Sequence, residues 1–400
     1  MKILYVNTLF PPDVGGGAEL SLAMLAAGQM VKGNEVLVAA TTDRNEVVDE
    51  VIADVPVVRL PLHNIYWPHS EKGPSTLRRL AWHARDIDNS AMAESLTGVV
   101  QKFNPDVISF HNLAGFSASA WRVAKQLEKP AVQVLHDYYN LCPRSQLFRN
   151  ERNCETPCQQ CSIFRIGRAK ASNQVDAVVG ASQAVLDAHL RNGLFANVQA
   201  RRVINNARDY ATPGRATYPA TAQTFGFIGT VAPWKGVGLV LEAFSQLQTK
   251  PGMQATRIVI AGGGEESYLN ELKTRYASEQ VVFLGKVKPD EFFEQVDVSV
   301  VPSLWHDPLP GVVFESMIFG VPVIGSRRGG IPEMISNDGN GLLFEPDQAG
   351  DLEAAMHKLA STPGLLARYG NQAHRDSARY SDTGRVIDAY YRLYEEIIAA

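Results

Sequence analysis

Short apolar runs alternate with helical patterns along almost the whole chain, and that alternation most limits the fold. The runs at 3–6, 36–39, 57–60, 107–110, 132–135, 177–179 and 203–204 predict strands in the first half. A second series restarts at 225–228 and continues at 258–260, 281–284, 298–301, 323–324 and 342–344. Between them lie helical stretches such as 18–30, closed by Gly33, and 237–247, with apolar residues at 237, 240/241, 244 and 247. Strand and helix in strict turn give βαβ units and parallel sheets. Periodicity fails at 205–224, where Pro213-Gly214, Pro219 and many Thr and Ala residues interrupt it. Two doubly wound α/β domains are therefore expected, and a last helix at 385–398 has an apolar stripe of its own.

The second series carries the densest group of polar signals. Val301-Pro-Ser-Leu-Trp-His-Asp-Pro-Leu-Pro-Gly-Val-Val-Phe-Glu315 sets Asp307 and Glu315 eight positions apart across a Pro/Gly loop that opens a helix. Gly320-Val-Pro-Val-Ile-Gly325 follows as a short strand, and Gly329-Gly330-Ile-Pro-Glu333 as a second tight turn. A strand, a glycine loop and a helix N-terminus aim free N–H groups and the helix dipole at an anion. Carboxylates beside such a seat suit hydroxyl donors, which points to a sugar or a ribose. The plain alternative for Glu315 is a solvated helix start.

These motifs resemble the E-x7-E signature and the G-x-P-V-I-x-S-x-x-G-G-x-x-E run of retaining family 4 glycosyltransferases. The resemblance extends to Pro11-Pro-Asp-Val-Gly-Gly-Gly-Ala-Glu19, Gly229-Thr-Val-Ala-Pro-Trp-Lys-Gly236 and Ala261-Gly-Gly-Gly-Glu265. It implies the glycosyltransferase B architecture: two Rossmann-like domains facing a cleft, with the C-terminal helix crossing back to the first. The corresponding division is 1–205, an acceptor-side domain with a cysteine loop at 142–161; 206–380, a nucleotide-sugar donor domain; and 381–400, the crossover helix. The implied activity moves a sugar from a UDP- or GDP-linked donor to a hydroxyl of a glycan or lipid-linked acceptor, with retention of configuration. Surface polysaccharide or lipid-linked glycan assembly is the usual setting.

Residue by residue, the resemblance gives Lys235 the diphosphate and Glu315 the ribose hydroxyls. Asp307 takes the donor sugar, and Gly16, Gly17, Gly311 and Val312 allow close backbone approach. His136, after a strand and before Asp137-Tyr-Tyr, is expected near the anomeric carbon, and His111 has the same topological place. Gly264 and Glu265 fall where the base would be read. The chain departs from the family at Thr230, where an Arg is usual, at Asp307, one methylene short, and at Pro310, where a Gly is usual. Arg327 or Arg328 could supply the missing cation. No Asp-x-Asp triplet accompanies these motifs, so no catalytic metal is expected at the diphosphate.

Composition narrows the class. Apolar residues make up 45% of 400, which fits well-filled globular cores, and a net charge of −4 argues against nucleic-acid binding. No run is long enough to span a bilayer. A cytoplasmic protein is expected, with peripheral contact at the inner face of the membrane left open; the aromatic, basic segment 66–86 reads first as a partly buried surface loop and helix, and alternatively as an acceptor- or membrane-facing surface. The four cysteines, Cys142, Cys154, Cys158 and Cys161, lie in one stretch. Their spacing leaves open a structural four-thiolate zinc site, free thiols or a redox pair. Two other readings share the motifs: a nucleotide-sugar-binding partner or regulator with a degenerate site, favoured by Thr230 and Asp307, and a two-domain nucleotide-sugar epimerase. A nicotinamide dehydrogenase is disfavoured, because neither glycine run forms G-x-G-x-x-G with a suitably placed acid.

Overall fold

The structure, a computed structural model, describes residues 1–69, 74–210, 212 and 214–400. Pro213 and residues 70–73 of the 66–86 segment lie outside the described residues. The chain forms two compact units: Met1–Leu147, Cys154–Asn206 and Thr383–Ala400 make unit 1, and Phe148–Asn153 and Ala207–Asp382 make unit 2.

In chain order the strands are β1 (Lys2–Val6), β2 (Glu35–Thr42), β3 (Val48–Ile52), β4 (Val55–Pro61), β5 (Val107–Phe110), β6 (Ala131–Leu135), β7 (Phe148–Arg149), β8 (Arg152–Asn153), β9 (Ala177–Gly180) and β10 (Ala200–Val203). They continue with β11 (Thr224–Ile228), β12 (Arg257–Ala261), β13 (Val281–Gly285), β14 (Val298–Val301), β15 (Val323–Ser326) and β16 (Gly341–Phe344). Unit 1 holds one eight-stranded sheet in the order β10-β9-β6-β5-β1-β2-β4-β3, and unit 2 a six-stranded sheet in the order β13-β12-β11-β14-β15-β16. Both are doubly wound, and the central strands of each are buried. That is why they read as short unbroken apolar runs.

Three strands depart from the expected pattern. β3 pairs antiparallel with β4 at the edge of unit 1. Its residues Val-Asp-Glu-Val-Ile alternate between half-buried and exposed, so no apolar run marks it. The hairpin turns at Ala53 and Asp54, both left-handed (φ 47° and 68°), without the Asn-Gly or Asp-Gly pair that usually signals such a turn. The two-residue strands β7 and β8 form a separate hairpin in unit 2. β10 ends at Val203 instead of beginning there, because two arginines occupy its middle on an exposed edge.

The helices bury the faces their periodicity marks. Val237–Gln248 buries Val237, Val240, Leu241, Phe244 and Leu247 against β11 and β12 in the core of unit 2. Full burial of each such side chain contributes about 1.5–3 kcal/mol. The C-terminal helix Thr383–Ile398 follows unit 2 in sequence but packs in unit 1, on the first helix Gly17–Val31. It buries Val386, Tyr390, Leu393, Tyr394 and Ile397. Gly28 is the socket for Ile387, since a Cβ there would lie 2.1 Å from Ile387 Cδ1. Gln29 Nε2 donates to the Ile387 carbonyl at 2.8 Å, and Lys32 pairs with Asp388 at 2.6 Å. Among the described residues no helix is long and apolar enough to cross a membrane.

Candidate active site

A doubly wound sheet binds ligands beyond the C-terminal ends of its strands, where the strand order reverses. In unit 2 that point lies between β11 and β14. The loop after β11 carries Lys235 and the loop after β14 carries Asp307. Lys235 Nζ lies 2.5 Å from Asp307 Oδ2, and Ser303 Oγ donates to the same oxygen at 3.2 Å. Asp307 is only 5% exposed, while the Lys235 side chain stays partly open to solvent with its ammonium 5.2 Å from the Trp305 ring centroid. A buried carboxylate thus holds a half-exposed cation in place.

Glycines bring these loops into contact. Gly236 (φ 76°) lies against the carbonyl of Pro302, where any Cβ would come within 1.9 Å of the oxygen. Gly329 (φ 54°) does the same at Asp307, with 2.1 Å to its carbonyl oxygen. The Gly330 N–H donates to that oxygen at 2.8 Å, and Ser326 Oγ ties down the Ser303 carbonyl at 2.7 Å. The G-G turn therefore buttresses Asp307 through its backbone. Gly264 packs against Val231 of the β11 loop, and Glu265 accepts from Ser267 at 2.8 Å at the surface.

The helix Gly311–Ile318 begins at this edge, and no side chain caps its first N–H groups. A Cβ on Gly311 would meet Glu315 Oε1 in ordinary contact at 3.4 Å, so packing does not demand glycine there. Burial pushes the Glu315 carboxyl up, opposed by the charge of Arg208 and a hydrogen bond from Tyr210. Burial in turn lowers the Arg208 guanidinium, which Glu315 supports. Arg208 and Tyr210 lie in the aperiodic stretch between the domains, and nothing in the sequence pattern pointed to them. Ser303 was equally silent, although its place just past β14 is where such groups collect. Arg327 pairs with Glu345 at 3.4 Å, and Arg328 with Glu345 at 3.7 Å and Asp347 at 2.5 Å.

In unit 1 the order reverses between β1 and β5. Gly17 opens the first helix, and the Gly16 N–H donates to Glu19 Oε2 at 2.9 Å. Gly16 is extended, a conformation open to any residue, and a Cβ there would meet nothing within 4 Å. Packing does not demand glycine at that position, so its effect is to leave the loop's approach open. Glu19 is buried and its carboxyl is raised by burial, against hydrogen bonds from the backbone of Glu19, Gly16 and Gly15 and from Asn7.

His111 directly follows β5 and His136 directly follows β6. His111 Nδ1 lies 2.8 Å from His136 Nε2, the rings stack 5.1 Å apart, and His111 Nε2 is 3.3 Å from Ser109 Oγ. Burial, then the His136 charge, holds His111 well below the usual histidine range. A single N–H bridges these two ring nitrogens. The adjacent Asp137 is pushed up to about 7, first by burial and then by the charge of Glu19.

Of the four cysteines, Cys142, Cys158 and Cys161 lie together. Cys158 and Cys161 Sγ lie 3.7 Å apart, and Cys161 hydrogen-bonds to Cys142, lowering the Cys142 thiol while its own rises. Backbone N–H groups of Arg144, Leu147 and Gln146 also favour the Cys142 thiolate. Between Cys142 and Cys154 the chain leaves unit 1 for the β7–β8 hairpin. Among the described residues no group of three or more His, Cys, Asp or Glu side chains is arranged to hold a metal ion. One Asp-x-Asp triplet does occur, Asp86-Ile87-Asp88. Both carboxylates are engaged: Asp86 is fully buried with Tyr139, Arg165 and Arg168, and Asp88 pairs with Arg122 at 2.6 Å.

Comparison with known proteins agrees with this arrangement. Solved structures with the same fold span essentially the whole chain. HepE of Anabaena in complex with UDP-glucose is 20% identical, with a TM-score of 0.70 over 99% of this chain and 100% of that one. Sucrose-phosphate synthase of Thermosynechococcus elongatus is 18% identical, with a TM-score of 0.76 over 100% and 99%. The fold is thus that of the glycosyltransferase B proteins. A family model for the glycosyl transferase 4-like domain matches residues 16–207, and one for glycosyl transferases group 1 matches residues 215–376. The chain belongs to this glycosyltransferase family. A protein of the cps region of Klebsiella pneumoniae is 29% identical over 84% of this chain and 87% of its own length. D-inositol 3-phosphate glycosyltransferase of Corynebacterium jeikeium is 29% identical over 55% of this chain and 57% of that one.

Proposed function

We propose that the protein transfers a sugar from a nucleoside-diphosphate donor, UDP- or GDP-linked, to a hydroxyl of a glycan or lipid-linked acceptor, with retention and without a catalytic metal. The observation that carries this reading is the Lys235–Asp307 pair at the reversal point of unit 2, beside an uncapped helix start. A diphosphate offers Lys235 two negative charges in place of one carboxylate. Its arrival shifts the ammonium from Asp307 to phosphate and leaves Asp307 able to accept hydrogen bonds from sugar hydroxyls. Glu315, facing Arg208 and Tyr210, accepts from the ribose. When the C1–O bond to phosphate breaks, its electron pair goes to the diphosphate, where fixed charge and N–H donors stabilise it. The acceptor oxygen bonds to C1 from the same face, and its proton passes to the leaving phosphate oxygen. The His111–His136 pair supplies a neutral imidazole that orients a hydroxyl. The UDP-glucose complex of HepE and the cps-region relative favour a UDP-hexose and a polysaccharide setting.

The test is a thermal-shift screen of UDP- and GDP-sugars, followed by transfer from the stabilising donor in excess EDTA and NMR assignment of the product anomer. A retained anomer formed in EDTA is expected. An inverted product, or activity that only Mg²⁺ restores, would overturn the corresponding part of the proposal.

A further inference from the structure

Two tyrosines far apart in sequence reach the histidine pair through one buried serine. Strands β1 and β5 pair in parallel with Tyr5 opposite Ser109. The Tyr5 ring meets the His111 ring edge-on at 5.8 Å, and Ser109 Oγ lies 3.3 Å from His111 Nε2, so all three share one face of the sheet. The C-terminal helix Thr383–Ile398 brings Tyr394 to that face, where its hydroxyl hydrogen-bonds to Ser109 and to Tyr5. Neither phenol has another partner among the described residues.

Packing alone does not account for these oxygens. Tyr5, Tyr394 and Ser109 are fully buried, where phenylalanine and alanine would fill nearly the same space with no polar group to satisfy. Burial raises both phenols, so each keeps its proton and has one O–H to give. Ser109 stands between a phenol and an imidazole. The phenol is the more acidic donor and the imidazole nitrogen the more basic acceptor, and together they orient the serine: it accepts from Tyr394 and donates to His111 Nε2. Burial and the His136 charge keep His111 neutral, with one ring N–H and one bare nitrogen. With Nε2 accepting, the N–H falls on Nδ1 and donates to His136 Nε2 at 2.8 Å.

We propose that Tyr394, acting through Ser109, is a positioning residue that fixes the ring tautomers of His111 and His136, with the proton on Nδ1 in both. Which ring nitrogen of a histidine carries the proton is set by the hydrogen bond made at the other, and it decides whether the imidazole offers a substrate a donor or an acceptor. Tyr5 completes the chain of hydroxyls behind Tyr394. The inference rests on the reading of this pair as the group that orients a hydroxyl, and it adds the residues that set the pair's state.

The test is heteronuclear NMR of the histidine ring nitrogens in the full chain without ligand, for wild type, Tyr394→Phe, Ser109→Ala and Ser109→Thr, alongside turnover of the donor. Wild type should show Nδ1–H on both rings. Tyr394→Phe and Ser109→Ala should each shift the His111 tautomer ratio about fivefold, the worth of one hydrogen bond, and lower kcat by about the same factor with the donor KM within about twofold. Ser109→Thr retains the hydroxyl and should keep the wild-type tautomers. Ser109→Ala removes a single oxygen and serves if Tyr394→Phe fails to fold, as its melting curve would show. Nε2–H tautomers in wild type, or tautomers that neither Tyr394→Phe nor Ser109→Ala changes, would overturn the proposal. Tautomers that shift as expected while kcat holds would uphold it and remove the histidine pair from the reaction instead.

Discussion

The two sheets reverse strand order in the same way, yet they fill the resulting anion seats differently. In unit 1 the glycine loop and helix start are occupied by the protein's own carboxylate: Glu19 takes the N–H of Gly16 and is itself buried. In unit 2 the helix Gly311–Ile318 has no side-chain cap, and the local cation is held by the carboxylate of Asp307. On the proposed reading, the same topology gives a closed seat in one unit and an exchangeable one in the other. A diphosphate is expected to bind only at the second.

The largest effect should follow removal of the exchangeable cation. Lys235→Ala is predicted to lower kcat by about 100-fold or more, the scale of one lost transition-state contact. Turnover within threefold of wild type would remove Lys235 from the diphosphate seat. Asp307 should divide binding from chemistry. Asp307→Asn frees Lys235, so UDP should bind at least as tightly as before, while turnover falls about tenfold or more as the charged acceptor is lost. Asp307→Glu keeps the charge and should retain more activity. Equal, near-normal rates for both variants would place Asp307 outside the reaction.

How far the sequence revealed these features depended on how each is encoded. Central strands such as β5 and β14 are buried on both faces, so a short apolar run identifies them. Lys235, Asp307 and Glu315 sit in glycine and proline motifs whose backbone demands leave a local trace. Their partners leave none. Arg208 and Tyr210 come from the aperiodic link and meet Glu315 only through the fold, and Ser303 is an ordinary serine until β14 places it beside Asp307. Glu19 lay in plain view after three glycines, but its reach back to Gly16 is a three-dimensional fact. The mixed edge at β3 escaped because its alternation is half polar.

The closed seat should reveal itself through stability. Asp137 is pushed up to about 7 beside Glu19, so its folded-state proton is held more tightly than in the unfolded chain. That contribution to stability is full below about pH 4, where the unfolded carboxyl also binds its proton, and is lost as pH rises through about 7. Asp137→Asn should therefore raise the melting temperature at pH 8 relative to wild type, by about 2–4 °C for an effect near 1 kcal/mol, and change it little at pH 4. A variant that gains as much at pH 4 would place the effect elsewhere. The smallest expected difference concerns the thiols. Cys161→Ser keeps a donor to Cys142 and should be more stable than Cys161→Ala by about 1 kcal/mol. Equal stabilities would mean that the hydrogen bond to Cys142 carries no weight.

The most direct measurement is a calorimetric titration of UDP into wild type, Lys235→Ala and Glu19→Gln. Lys235→Ala should weaken UDP binding by about 10–100-fold, the worth of one charge-assisted hydrogen bond, while Glu19→Gln should bind UDP within about twofold of wild type. Unchanged affinity in Lys235→Ala together with lost affinity in Glu19→Gln would put the anion seat in unit 1 and contradict the account.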